Sequence, residues 1–61
     1  MPWIRIDLSP GRTEDQKART AEAITKAMVD ICNCTPESVS IVFAEVESQN
    51  WAFAGTLLSR K

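Results

Sequence analysis

The chain has 61 residues, 44% of them hydrophobic, with two cysteines, no histidine and a formal net charge of -1 whose signs are scattered along its length. A chain this short reads as one domain, residues 1–61, and exposes too much of its own surface to be comfortably stable alone, so disulfides, a metal or association usually support it. One disulfide at most and no cluster of metal ligands leave association. The mixed charge excludes the basic stripe of a nucleic-acid binder and the patch that draws a protein to a membrane. Neither a leader-like segment nor an apolar run near the ~20 residues of a bilayer span is expected, and the chain reads as a cytoplasmic enzyme or binding protein.

In chain order, "WIRIDL" alternates. Ile4, Ile6 and Leu8 fall on one face and Trp3, Arg5 and Asp7 on the other, the pattern of a half-buried strand. "SPGR" is turn chemistry, with Pro10 pre-setting its backbone angle and Gly11 free to take positive φ. Thr13 reads as a helix N-cap with Gln16 completing a capping box, while Glu14 and Asp15 place negative charge in the first turn. Ala18, Ala21, Ile24, Met28 and Ile31 then recur at spacings of three and four, an apolar stripe on a helix of about 19 residues, roughly 28 Å long. It should end near Asn33, since Pro36 disfavours helical angles at Thr35.

A second strand is predicted in "SVSIVFAEV", apolar on both faces: Val39, Ile41 and Phe43 on one, Val42, Ala44 and Val46 on the other. Both faces call for burial, and one helix covers one face of a two-stranded sheet. The second face therefore calls for another subunit. "ESQN" is a polar turn, "WAFAG" a short strand or hairpin, and "TLLSRK" carries Leu57 and Leu58 before a basic tip. The expected fold class is α+β: a single βαβ unit with parallel strands and a right-handed crossover, plus a short C-terminal hairpin, completed by oligomerisation. Pairing with a neighbour would also close the open sheet edges.

Three features bear on chemistry. A proline at the first residue of a strand is ordinary, because it has no amide to donate. Pro2 also follows the initiator methionine, whose removal would leave a secondary amine able to act as a base. Arg12 by itself reads as a solvated turn residue, and Trp51 as packing. "CNC" holds Cys32 and Cys34 without histidine or further cysteine, and both lie near a helix C-terminus, whose partial charge disfavours thiolate; they read as structural.

Taken together, "PWIRIDL", "GRTEDQK", the long helix, "TPESVSIVFAEV" and "NWAFAG" resemble the 4-oxalocrotonate tautomerase family from Pro2 to about Leu58. The resemblance implies small βαβ subunits, usually assembled as a hexamer, with no cofactor and with active sites built from neighbouring subunits; as the sequence has no cluster of ligands, no metal is expected. It aligns Pro2 with a catalytic amino-terminal proline, Arg12 with a substrate-binding arginine, and Trp51 with an aromatic residue of an apolar wall. The chemistry agrees. A keto–enol tautomerase needs a base with a pKa near working pH, and both desolvation beside Trp51 and a guanidinium such as Arg12 disfavour the ammonium form of an amine. A guanidinium also grips a small-molecule carboxylate with two parallel hydrogen bonds.

Ser40 departs from the pattern, standing where the dicarboxylate tautomerases of the family carry a second arginine. A hydroxyl can bond a substrate oxygen but brings no charge. The expected substrate is therefore a small 2-hydroxy-enoate or 2-oxo acid, either a monoacid or one met by an arginine from elsewhere in the chain, such as Arg5 or Arg60. The hydrating dehalogenases of similar fold rank lower, because no acidic residue lies between Ser48 and Leu58 to activate water. The alternative is a catalytically silent subunit, or one of a hetero-oligomer whose sister chain supplies the missing arginine.

Overall fold

The computed structural model describes all residues, Met1–Lys61. Strand β1 (Trp3–Leu8) leads through a turn into helix α1 (Glu14–Cys32), and a 3-10 turn (Pro36–Ser38) leads into β2 (Ser40–Glu45). β1 and β2 pair in parallel, from Trp3 opposite Ser40 to Leu8 opposite Glu45. A second 3-10 turn (Ser48–Asn50) precedes a small antiparallel hairpin, β3 (Ala52–Phe53) and β4 (Thr56–Leu57), followed by a last 3-10 turn at Leu58–Arg60. The βαβ unit and the short hairpin expected from the sequence are both present.

The start of α1 is secured as its sequence predicts. The Gln16 amide donates to Thr13 Oγ1 at 3.1 Å, and the Thr13 amide donates to Gln16 Oε1 at 2.9 Å, so both sides of the capping box form. The end is secured by Asn33, which takes the left-handed conformation (φ 59°, ψ 36°) that an asparagine tolerates at a helix C-terminus. Gly11 (φ 126°) makes the turn between β1 and the cap. In the hairpin, Ala54 (φ 51°) and Gly55 (φ 83°) form a two-residue loop with both central φ angles positive, the geometry that matches the twist of two short strands.

One side of α1, with Ala21, Ile24, Thr25, Met28 and Val29 half-buried, covers the sheet face carrying Ile4, Ile6, Leu8, Ile41 and Phe43. Lys17 Nζ reaches Glu45 Oε1 at 2.9 Å and ties the first turns of the helix to the far end of β2. Two expectations need correction. Ala18 and Ile31 are not on the covered side: both are exposed, Ile31 at 81%. The second strand is also shorter than "SVSIVFAEV", because Pro36–Ser38 is drawn into a 3-10 turn, with the Ser38 amide donating to Thr35 O at 3.1 Å.

The opposite sheet face has no cover within the chain. It carries Trp3, Arg5 and Asp7 from β1 beside Ser40, Val42 and Ala44 from β2. No residue of the single chain is fully buried, and its accessible surface is 4782 Å². A compact monomer of 6.8 kDa would expose about 4000 Å². The radius of gyration, 14.8 Å, likewise exceeds the roughly 10.5 Å of a compact chain of this length.

Candidate active site

Pro2 is half-buried just before β1, and its carbonyl accepts the Ser40 amide at 3.0 Å. Ser40, also half-buried, opens β2 opposite Trp3. These residues form one group at one end of the sheet. Met1 ahead of them is 97% exposed, so nothing packed is disturbed by its removal.

Arg12 belongs to the other end. Between it and Pro2 lies the whole of β1, six residues, or about 20 Å at a strand's rise per residue. The Lys17–Glu45 ion pair keeps the helix start at that far end. Arg12 is exposed between Gly11 and the cap residue Thr13, and it makes no ion pair. The three ion pairs of the chain are Arg5–Asp7, Lys17–Glu45 and Lys26–Asp30. The guanidinium of Arg12 is thus free to meet an external anion.

Trp51 also departs from the far end. The Val46 amide donates to Leu8 O at 2.8 Å, closing the ladder, and the chain then turns through Ser48–Asn50 into Trp51. The Trp51 carbonyl accepts the Leu58 amide at 2.8 Å, and its ring stacks on Phe53 with centroids 6.4 Å apart and planes at 26°. Lys61 Nζ lies 5.6 Å from the centre of the Phe53 ring, a cation on the aromatic surface. The long dimension of the molecule, 43 Å, exceeds the ~28 Å of the helix.

One chain therefore brings Pro2 and Ser40 together and holds Arg12 and Trp51 away from them. Three residues near these points were not singled out from the sequence. Trp3 is 72% exposed opposite Ser40, Phe53 extends the Trp51 surface, and Arg19 shares a groove with Arg12. Trp3 was legible as a large apolar residue on the polar side of an alternating strand. Arg19 had no signal, since an arginine on a helix is ordinarily a solvated one.

Residues 2–61 match the tautomerase enzyme family, and the chain belongs to it. A probable tautomerase of Bacillus cereus is 31% identical over 61 residues, the full length of both chains. The 2-hydroxymuconate tautomerase of Pseudomonas putida is 34% identical over 55 residues, 90% of this chain and 87% of the relative. Among solved structures, a homologue of 4-oxalocrotonate tautomerase superposes with a TM-score of 0.93 at 27% identity, over 98% of each chain. A heterohexameric 4-oxalocrotonate tautomerase from Chloroflexus aurantiacus superposes with a TM-score of 0.86 at 27% identity, over 97% of this chain and 95% of the other. The fold is that of the 4-oxalocrotonate tautomerases, and the chain is a tautomerase-type isomerase.

Proposed function

We propose that the protein is a cofactor-free keto–enol tautomerase acting on a small 2-hydroxy-enoate or 2-oxo acid, with the Pro2 amine as general base and acid once Met1 is removed. The observation that carries this reading is the placement of Pro2 and Ser40 at one end of the sheet and Arg12 and Trp51 at the other. A complete site then requires a second copy, which a chain with no fully buried residue also requires for stability. The working form is a homo-oligomer, a hexamer by analogy with the family.

In the reaction, the Pro2 nitrogen takes the hydroxyl proton of the enol, the carbonyl forms, and the resulting ammonium returns the proton to carbon. Arg12 of a neighbouring copy holds the substrate carboxylate by two hydrogen bonds and stabilises the charge that develops along the conjugated chain. The Trp51 surface excludes water, which favours the neutral, basic amine. Ser40 offers its hydroxyl to a substrate oxygen.

The test is an absorbance assay with phenylenolpyruvate and 2-hydroxymuconate on protein whose mass shows that Met1 is absent. Ketonisation that disappears in Pro2→Ala supports the reading. No rate above background on either acid, with the amine free, rejects it in favour of a silent subunit. Ser40 also favours a hetero-oligomer whose sister chain supplies an arginine, and the size of the chain expressed alone decides that point: a monomer or aggregate supports it, a uniform homo-oligomer rejects it.

A further inference from the structure

The uncovered sheet face carries one pair of charges beside large apolar side chains. Trp3, 72% exposed, and Val42 both stand on it, as do Arg5 and Asp7 of β1. From β2 the face receives only Ser40, Val42 and Ala44, so neither strand adds a further titratable group on this side. Arg5 Nε donates to Asp7 Oδ1 at 3.1 Å, and this is the one bond that either side chain makes. The terminal guanidinium nitrogens and Asp7 Oδ2 are left to water.

The two side chains are 61% and 47% exposed, and a solvated pair of this kind adds little to the stability of one chain. Under cover its position changes. The unbonded nitrogens and oxygen lose their water, which is costly unless whatever covers them brings partners of its own. The cover must therefore present an acid to Arg5 and a base to Asp7, roughly 7 Å apart along the strand.

A second copy of the same face meets that requirement in one register. Where a two-fold axis crosses β1 level with Ile6, the two strands run antiparallel, and position 5 of each copy stands opposite position 7 of the other. A parallel arrangement, or an axis moved to the level of Arg5 or Asp7, sets like charges against each other instead.

We propose that a second copy of this chain seats on this face across a two-fold axis level with Ile6. Arg5 of each copy then bonds Asp7 of the other, and the exchanged pairs fix the register and choose the partner. This rests on the reading of the working form as a homo-oligomer, and adds to it the residues by which the chain selects itself.

The deciding experiment is sedimentation over a range of concentrations for the parent, Arg5→Glu, Asp7→Lys, the double exchange Arg5→Asp with Asp7→Arg, and the two single variants refolded together. Each single variant sets like charges face to face and should associate on the order of a hundredfold more weakly than the parent. The mixture should recover the parent's size, because an all-acidic face then meets an all-basic one. The double exchange should recover it too, because position 5 again opposes an unlike charge at position 7. Recovery in these two samples also shows that the altered strands still fold. Single variants that associate as the parent does overturn the proposal, as does a loss of association that either the mixture or the double exchange fails to reverse. A parent chain that stays monomeric alone fails the homo-oligomer reading itself, whereas a parent that associates whatever charges stand at positions 5 and 7 fails this inference only.

Discussion

The Ser40 amide donates to the Pro2 carbonyl at 3.0 Å, extending the parallel ladder one residue beyond β1. The Pro2 carbonyl is thereby held by β2, at a residue 38 positions away in the chain. Ser40→Ala keeps the amide and should leave thermal stability within about 0.5 kcal/mol. Ser40→Pro removes the donor and should cost about 1–3 kcal/mol together with most of the activity. Equal melting temperatures and rates for the two variants would contradict a ladder that positions Pro2.

The separation of Pro2 and Arg12 along β1, both of them residues of the proposed site, predicts complementation. Pro2→Ala and Arg12→Ala chains should each be inactive alone and regain a fraction of the activity when unfolded together and refolded as mixed oligomers. Assay of the mixture against each variant alone is sufficient. No recovery would mean that both residues of a working site come from the same chain.

The uncovered sheet face predicts that Val42, 39% exposed in the single chain, is covered in the oligomer. Val42→Asp would bury a charge without a partner and should dissociate the assembly, with loss of helical circular dichroism because the free chain has no buried core. Sedimentation and circular dichroism at matched concentrations check both effects. A folded, associated Val42→Asp protein would locate the interface elsewhere.

The capping box predicts a local stability term. Thr13→Ala removes the hydroxyl that accepts the Gln16 amide and should cost about 1 kcal/mol. Thr13→Ser should restore most of it in a denaturant titration. The substitution lies next to Arg12, so its effect on KM reads whether the cap also orients that guanidinium.

The proposed role of Pro2 as the base carries a pH dependence. As pH falls, the Pro2 amine takes up a proton and can no longer accept one from the enol, so kcat/KM should decrease on the acid side along a single titration curve. Retention of Met1 should abolish the titration along with the rate, because the Pro2 nitrogen is then an amide.

The local features were the most legible ones. Thr13 and Gln16 declare a helix start within four residues, and the alternation of "WIRIDL" declares a strand, because both signals depend only on near neighbours. Ile31 misled for the converse reason. It keeps the three-and-four spacing of the stripe, yet it is 81% exposed in the chain. Spacing reports that a residue is placed to be covered and not whether the fold covers it.

The six residues of β1 that hold Pro2 and Arg12 apart bear on how such a chain evolves. On the proposed site, when such a gene is duplicated, each copy needs to preserve only one end of its strand, provided the two products still assemble. One copy can then drift at the amine end and the other at the arginine end, and selection sees the loss only when the copies are parted. A short strand thus becomes the boundary along which one enzyme divides into two interdependent genes.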